Sequence, residues 1–455
     1  MNAPTGLEPK VGPELHVPEE LVARYRTRAP RYTSYPTAPQ FGPIPTAAID
    51  AALRRNPGPL SAYVHIPFCK SLCHYCGCHV EIHARREIGA GYVDTVLAEA
   101  DLLAARLQPG RTLDQLALGG GTPTFLQPDD MARLIDGLRA RWPFTPTADI
   151  SIEVDPRTID EAYLNRLVDI GFGRYSFGVQ DFDATVLEAV HRAQPADLTL
   201  RAVRTLRERG EFDLNFDLMY GLPHQTPETF RTTLDIVVAM RPTRIALFLY
   251  AHVPWMKPAQ KLVEKHGIPD AAARSRLFVL ANEVLAGAGY ERIGMDHFAL
   301  PGDDLLQAQA SGTLQRNFMG YTSRAGLDQV GMGVSAIGSF GGVYAQDLKD
   351  REAWTARIAA GELPIERGFL LTEDDLERRR VIMQLFCNFT IQLEPGMFVE
   401  ERERLAPMVK DGFVVLTGDN VTVTPLGRHF IRNVCAVFDR YLEADAAARR
   451  YSHTA

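Results

Sequence analysis

The sequence predicts an α/β protein built around a parallel β-sheet. Between residues 62 and 250, short apolar segments typical of buried strands alternate six times with longer segments of helical periodicity. Six successive β-α units imply parallel strands joined by right-handed crossovers. An incomplete (β/α)6 barrel and a doubly wound sheet both fit this alternation. Polar or glycine-rich motifs follow the predicted strands, and functional residues of a barrel lie at those strand ends.

The predicted strands are short apolar runs at residues 62–66, 113–118, 149–154, 174–179, 212–219 and 244–250. The helices that we expect between them span residues 91–107, 130–142, 159–170, 184–190, 197–208 and 227–240. In the first helix, Val93, Leu97, Ala100 and Leu103 recur at helical spacing. Pro227 favours a helix start, because the first turn needs no N–H from that residue.

Three domains are expected. Residues 1–55 form an N-terminal extension and strap, residues 56–365 the barrel with its extension, and residues 366–455 a mainly helical C-terminal domain with a small β-hairpin. In the last part, Thr372 and Asp375 form a capping box ahead of a helix. A hairpin at 411–424 and a final helix at 425–438 resemble a winged helix, which we interpret as a cover over the barrel mouth.

Composition excludes several classes of protein. The chain has 455 residues, 46% of them hydrophobic, and a formal net charge of −7. The acidic balance gives no electrostatic case for binding nucleic acid. No apolar run reaches the roughly 18 residues that a membrane helix needs. Residues 1–18 lack the order of a secretory signal. We therefore expect no nucleic-acid partner, no membrane span and a cytoplasmic location.

Four of the six cysteines lie within residues 63–80, directly after the first predicted strand. Cys69, Cys73 and Cys76 have the spacing C-x3-C-x2-C, and Cys78 follows two residues later. A tight loop can direct three thiolates at one centre, and thiolates bind zinc or an iron–sulfur cluster. Structural zinc usually needs four ligands, and disulfides are typical of small secreted domains. The spacing favours a cluster with one open iron, while zinc or redox thiols remain alternatives.

The cysteine motif resembles the signature of the radical S-adenosylmethionine (SAM) superfamily. The segment Pro30-Arg-Tyr-Thr-Ser-Tyr-Pro-Thr-Ala38 and the Cys76-Gly-Cys78 ending resemble, more specifically, the family of oxygen-independent coproporphyrinogen III oxidases. The resemblance extends from about residue 30 through the C-terminal region. It implies the incomplete (β/α)6 barrel and a [4Fe-4S] cluster on Cys69, Cys73 and Cys76, with Cys78 outside the cluster.

The resemblance also implies the SAM contacts. These are Tyr63, Tyr75, Gly120, Gly121, Thr122, Glu153, Gln180, Arg192, Asp217, Ala251 and Ile337. The family is thought to hold two SAM molecules in one pocket, which would account for so many positions. From the residues alone, the glycine run is equally a tight turn, and Glu153 is equally a buried structural acid. His297 and the segment 316–321 are secondary candidates for substrate binding.

The implied activity converts two propionate side chains of coproporphyrinogen III to vinyl groups, which gives protoporphyrinogen IX. A radical derived from SAM would perform the chemistry, so no catalytic protein residue is assigned. A flavodoxin- or ferredoxin-like electron donor and a monomeric state are expected. The alternative is a heme-binding chaperone of a related radical SAM family. That family usually lacks the early Arg-Tyr-Thr-Ser-Tyr-Pro segment and the Cys-Gly-Cys ending, both of which are present here.

Overall fold

The computed structural model describes residues 17–442 together with residues 451, 452 and 454. Seven parallel strands form the centre of a larger mixed sheet. They are β1 (Leu60–Ile66), β2 (Leu113–Gly120), β3 (Phe144–Val154), β4 (Arg174–Gln180), β5 (Asp213–Tyr220), β6 (Arg244–Leu249) and β7 (Asp328–Met332). Their order is β7-β1-β2-β3-β4-β5-β6. Because β1 to β6 follow each other without a reversal, the sheet is singly wound, as in a barrel, rather than doubly wound.

The six predicted strands and six predicted helices are all present. The helices are Ile88–Ala104, Pro128–Arg141, Glu161–Ile170, Ala184–Ala189, Ala196–Arg209 and Pro227–Met240. Most ends lie within three residues of the expected positions, although β3 begins five residues earlier, at Phe144 rather than 149. Capping residues explain why the ends of some helices agree with the prediction. Thr226 caps the helix that starts at Pro227, and Gly171, with φ of 107°, ends the helix Glu161–Ile170.

Antiparallel strands extend the parallel sheet on both sides, and the sequence did not predict them. Strands Ile337–Phe340, Val343–Asp347 and Ile365–Leu370 continue the sheet beyond β7, and His297–Ala299 with Glu291–Ile293 continue it beyond β6. Helices Ala271–Gly287, Asp304–Ala310 and Arg351–Ala359 pack in this region, and short strands Gln315–Asn317 and Gly320–Thr322 pair with each other. Strand Ile365–Leu370 crosses the expected domain boundary at residue 365, and that division stays a prediction.

The C-terminal part has the expected helix and hairpin. Helix Glu373–Asn388 begins with the predicted Thr372–Asp375 capping box. Strands Val414–Thr417 and Asn420–Val423 form the hairpin, to which Thr390–Gln392 adds a third strand. The prediction of a single final helix at 425–438 was wrong, because a 3-10 turn (Gly427–Phe430) precedes a short helix (Ile431–Ala436). A side chain at Gly427 would collide with the carbonyl of Phe413, and the backbone N–H of Gly427 donates to the Thr424 hydroxyl over 3.0 Å, so local contacts hold the chain at this turn.

The N-terminal strap packs against the C-terminal part. Helices Glu19–Arg24 and Thr46–Leu53 flank it, and Tyr32 and Tyr35 within it are buried. The Tyr32 hydroxyl donates to Asp439 over 3.0 Å. The two ends of the described chain therefore share one apolar core. Within the described residues, no helix combines the length and apolar character needed to cross a bilayer.

Behind the sheet lies a buried pair of acids. Glu99, on the helix Ile88–Ala104, and Asp347 are 1% and 5% exposed. Glu99 accepts a hydrogen bond of 2.8 Å from the backbone N–H of Gly333. Burial raises the pKa of Glu99 to about 8, and burial together with the charge of Glu99 raises the pKa of Asp347. The pair is therefore held largely in its protonated form near neutral pH.

We predict that Glu99→Gln reduces the loss of stability toward alkaline pH. Glu99 is protonated in the folded protein up to pH near 8, whereas its ordinary pKa is 4.5. Its contribution to the free energy of unfolding is full below pH 4.5 and declines as pH rises toward 8. The variant should gain about 4 kcal/mol relative to the wild type between these limits, since one pKa unit corresponds to about 1.4 kcal/mol.

Thermal unfolding of both proteins at pH 5 and pH 8 measures this difference. The exposed Glu352 is the matched control, and Glu352→Gln should keep the wild-type pH dependence. Identical pH dependence in Glu99→Gln and the wild type would contradict the assignment.

Candidate functional site

Two adjoining cavities lie at the C-terminal ends of the parallel strands. The first, the cysteine cavity, has a volume of about 270 Å³ and is lined by all four clustered cysteines. The second, the barrel cavity, has a volume of about 340 Å³. Glu153, Ser176, Asp217 and Phe248 line both, so the two spaces are neighbours. The strand ends thus converge as the barrel interpretation requires.

Most of the expected SAM contacts are brought together here. Tyr75, Gly120, Gly121, Thr122, Glu153, Gln180, Arg192 and Asp217 line the cysteine cavity, and Tyr63 lines the barrel cavity. Ala251 and Ile337 line neither. The carbonyl of Ala251 nevertheless accepts a hydrogen bond from Gln260, whose side chain also donates to the carbonyl of Tyr75. Ile337 begins a strand on the far side of β7. The roles of all these residues stay predictions.

Short contacts hold the cysteine loop in place. Its two ends pair as strands Phe68–Cys69 and Glu81–Ile82. Gln260, which is 1% exposed, donates to the Tyr75 carbonyl over 3.0 Å. Lys257 donates to the Cys78 carbonyl over 2.7 Å. The residues after β6 therefore support the loop that carries the thiols, although nothing in the local sequence marks Gln260 or Lys257 as site residues.

Two arginines surround the Cys73 thiol. Arg192 and Arg157 direct guanidinium N–H groups at the sulfur over 3.5 and 3.7 Å. Asp155 joins them, since it lies 2.6 Å from Arg157 and 3.6 Å from Arg192. Although burial alone would raise it, the pKa of the Asp155 carboxyl is lowered by these two arginines. The two guanidinium groups therefore lie beside the sulfur atom that would carry negative charge as an iron ligand.

The other thiols have different environments. Cys69 lies 3.3 Å from the Thr122 hydroxyl, and burial raises the pKa of the Cys69 thiol to about 11. A hydrogen bond from the Cys78 thiol is the main reason that the pKa of Cys76 is lowered to about 6. Cys78 also lines the cavity, so its exclusion from the cluster stays a prediction.

The donor set fits an iron–sulfur cluster. Among the described residues, no three His, Cys, Asp or Glu side chains are close enough together to hold a single metal ion. The thiols of Cys69, Cys73 and Cys76 instead line one cavity, and cysteine thiolates are the usual ligands of a [4Fe-4S] cluster. The cationic surroundings of Cys73 suit a cluster with thiolate ligands.

The glycine run at the end of β2 allows three close contacts. A Cβ on Gly119 would lie 2.8 Å from a carboxylate oxygen of Glu153. A Cβ on Gly120 would lie 2.5 Å from the ring of His65, and one on Gly121 would lie 2.6 Å from the carbonyl oxygen of Pro67. Gly120 also has φ of 111°. The run is therefore required for close packing as well as for turning.

His65 connects the glycine run to the barrel cavity. Burial lowers the pKa of its imidazole to about 4, so the ring is neutral. A neutral ring can donate from Nε2 to the His79 carbonyl over 3.0 Å and accept at Nδ1 from the Tyr63 hydroxyl over 3.1 Å. His65 thereby orients the Tyr63 side chain. The sequence placed His65 inside the first strand and gave no signal for this role.

Two carboxyl groups, Glu153 on β3 and Asp217 on β5, line both cavities. Glu153 opens into the cavities yet is enclosed by protein, and this desolvation with the nearby charge of Asp217 raises its pKa to about 7. The backbone N–H of Gly120 donates to Glu153 over 3.1 Å. Asp217 accepts from Asn215 and Ser176, and burial raises its pKa as well. The pair would be stabilised in its charged form by a cationic ligand group, such as an ammonium.

The sequence led to no role for several residues of this site. Asp155 and Arg157 could have been predicted, because both follow β3 directly in the run Glu153-Val-Asp-Pro-Arg157. The secondary candidate His297 does line the barrel cavity, and its Nδ1 lies 2.8 Å from Asp296. This position favours the interpretation of His297 as a cavity residue rather than as a histidine of the protein core.

Comparison with known proteins agrees with this geometry. The family model "Radical SAM superfamily" matches residues 63–237. The fold and the cysteine cavity therefore define an enzyme of the radical SAM class.

Relatives that match over nearly the whole chain identify the family within the radical SAM class. The chain is 40% identical over 442 residues to oxygen-independent coproporphyrinogen III oxidase from Pseudomonas aeruginosa, covering 93% of this chain and 95% of the relative. It is 40% identical over 444 residues to the Escherichia coli enzyme of the same name, covering 95% and 97%. The solved structure of E. coli coproporphyrinogen III oxidase (HemN), a radical SAM enzyme, aligns with a TM-score of 0.88 at 39% identity, covering 94% of this chain and 100% of that one. This chain belongs to the oxygen-independent coproporphyrinogen III oxidase family. The fold and family that the motifs implied are thereby confirmed.

We predict that Gly120→Ala impairs cluster assembly. The new methyl group would collide with the His65 ring, and an alanine at φ of 111° is strained wherever it points. Iron content after anaerobic reconstitution should fall below half of the wild-type value. Gly91→Ala is the matched control, since a Cβ there meets nothing within 4 Å. Wild-type iron content in Gly120→Ala would show that the close contact is not needed.

The ligand assignment predicts different effects for two cysteines of the same loop. Cys73→Ser should abolish cluster assembly, because it removes a ligand and leaves Arg157 and Arg192 without the sulfur that they contact. Cys78→Ser should keep most of the iron. Iron analysis and the cluster's visible absorption after reconstitution measure both. Equal iron loss in the two variants would refute the assignment of Cys69, Cys73 and Cys76 as the ligand set.

Proposed function

We propose that this chain catalyses the oxygen-independent oxidative decarboxylation of two propionate side chains of coproporphyrinogen III. The product is protoporphyrinogen IX, an intermediate of heme and porphyrin biosynthesis. One observation carries the proposal. A loop with three clustered thiols and a facing pair of carboxyl groups line adjoining cavities, in a chain that is similar to these oxidases over almost its whole length. For each propionate, removal of one β-hydrogen atom, followed by loss of carbon dioxide and one electron, leaves a vinyl group.

When bound, a [4Fe-4S] cluster and SAM supply the one-electron chemistry that removes the hydrogen atom. The protein's contribution is binding, orientation and exclusion of water. Cys69, Cys73 and Cys76 would hold the cluster and leave one iron open. Glu153, with the glycine run beside it, is suited to bind the ammonium of SAM, because a cation would stabilise the ionised form of a carboxyl whose pKa is raised to about 7.

A second SAM molecule is part of the proposal. Support comes from the two neighbouring cavities, which share Glu153 and Asp217. Gln180, Arg192 and Asp217 line the cysteine cavity and Tyr63 lines the barrel cavity. Equilibrium dialysis of the reconstituted protein should then give two SAM molecules per chain.

The proposed place for the substrate is the part of the barrel cavity away from the residues that it shares with the cysteine cavity. Arg174, Arg244 and Arg316 line the barrel cavity, together with the aromatic residues Phe248 and Phe318. Each arginine already contacts an aspartate, so a propionate would bind beside existing ion pairs rather than meet an isolated cation. Aromatic walls suit the apolar face of a tetrapyrrole. We further propose a flavodoxin- or ferredoxin-like electron donor, a monomeric enzyme and a cytoplasmic location.

The decisive test is anaerobic turnover with coproporphyrinogen III, SAM and a chemical reductant. We expect protoporphyrinogen IX together with methionine and 5'-deoxyadenosine. The Glu153→Gln variant should weaken SAM binding by about tenfold, because the neutral amide loses roughly the 1.4 kcal/mol of one such charge contact.

Two outcomes would contradict the proposal. SAM cleavage by an intact cluster without protoporphyrinogen formation would instead favour the heme-binding chaperone. A colourless protein that contains zinc and no iron after anaerobic purification would exclude radical chemistry altogether. Asp183→Asn is a control for Glu153→Gln, because Asp183 caps a helix outside both cavities, and it should bind SAM normally.

A further inference from the structure

A third cavity lies between the strap, the ends of β5 and β6 and the C-terminal part. We call it the arginine pocket, because Arg31, Arg274, Arg292 and Arg432 line it. Its volume is about 100 Å³, and it shares no lining residue with the cysteine cavity or the barrel cavity. Nothing in the proposed chemistry uses it.

The pocket holds more positive than negative charge. Asp296 is the only carboxylate among its described lining residues, against the four arginines. Asp296 is already engaged on its other side, where Arg316 lies 3.3 Å away and His297 lies 2.8 Å away. Both contacts are made by Oδ1 of Asp296, whereas its Oδ2 is buried without a hydrogen-bond partner among the described residues.

Three of the arginines bond only to backbone carbonyls in the described part of the chain. Arg31 donates to the Leu249 carbonyl over 2.7 Å. Arg292 donates to the carbonyl of Met295 over 2.9 Å, and Arg274 to that of Asp270 over 3.2 Å. None of the three has an ion pair within 4.0 Å among the described residues. A carbonyl satisfies a donor, but it does not neutralise a buried charge.

Buried polar atoms without a partner mark the same place. The Nε atom of Arg292, the Nε2 atom of His429 and the Oδ2 atom of Asp296 are buried without a hydrogen-bond partner among the described residues. All three residues line the pocket. Desolvation lowers the pKa of Arg31 and Arg274, and lowers the pKa of Arg292 to about 10. These are the features of a cationic site that lacks its counter-ion.

Most of the remaining wall is apolar, although Tyr220, Ser275 and Thr454 add polar groups. The apolar part is lined mainly by Leu247, Leu249, Phe278, Val279, Met295 and Phe430. A small inorganic anion would use the arginines but leave these walls without a partner. An anion with a hydrocarbon body would satisfy both parts.

We propose that the arginine pocket is a binding site for an organic carboxylate, with its carboxylate on Arg31 and Arg292 and its hydrocarbon part against the apolar walls. The carboxylate could be supplied by a propionate arm of a tetrapyrrole or by a free short-chain acid. The site is distinct from the cavities of the proposed reaction, so its test does not depend on turnover.

Titration calorimetry of the full-length protein with butyrate tests the proposal. We expect saturable binding that weakens at least tenfold in Arg292→Gln. Arg274→Gln, on the more accessible helix Ala271–Gly287, gives a second readout should Arg292→Gln unfold, and it should weaken binding at least threefold. Arg276→Gln is the matched control on the same helix, since Arg276 is exposed and does not line the pocket.

Two further ligands distinguish the sources. If coproporphyrin III binds, is displaced by butyrate and loses affinity in Arg292→Gln, a tetrapyrrole arm is the occupant. If butyrate binds without displacing coproporphyrin III, the occupant is a free acid. No butyrate binding to the folded wild type, equal binding by the wild type and by folded Arg292→Gln and Arg274→Gln, or phosphate binding as tight as butyrate binding would each overturn the proposal.

Discussion

The close packing of the ends of β1 and β3 against the end of β2 is the constraint on which the rest of the site depends. The Pro67 carbonyl, the His65 ring and the Glu153 carboxylate each approach a different glycine of the run 119–121 at distances that leave no space for a side chain. These contacts bring three neighbouring strands into one arrangement. The thiols, the backbone donor of Gly120 and the carboxylate can therefore lie around a common space.

The charge of buried side chains is compensated differently at three places in the molecule. At the cysteine cavity, Asp155 bridges Arg157 and Arg192, so the cations near Cys73 are partly neutralised without losing their contact with sulfur. Behind the sheet, Glu99 and Asp347 avoid like-charge repulsion by remaining protonated. In the arginine pocket, Arg31, Arg274 and Arg292 have no ion pair within the described part of the chain. This third arrangement therefore points to a ligand that supplies the negative charge.

The barrel is not closed by its six β-α units alone. β7 pairs with β1, and antiparallel strands extend the sheet on both sides. The strap and the C-terminal part then share a core that includes Tyr25, Tyr32, Phe386 and Phe413. Residues more than 350 positions apart in the chain thus form one packed unit, as the Tyr32–Asp439 hydrogen bond illustrates. The strap is consequently a packed element beside the cavities rather than a separate module.

The sequence by itself determined the six β-α units, the cysteine loop and the residues that directly follow the strands, because these depend on short-range periodicity and on the rule that parallel strands end together. It could not reveal the antiparallel extension, since those strands are short and pair over long separations. It could not identify Gln260, His65 or the arginines of the third cavity as neighbours, because no local pattern encodes which distant backbone carbonyl or ring a side chain will meet. It also predicted one continuous final helix, whereas the segment consists of a 3-10 turn, held against Phe413 and Thr424 at Gly427, and a short helix. Which side chains share a space, and which buried charges lack a partner, was decided only by the tertiary packing.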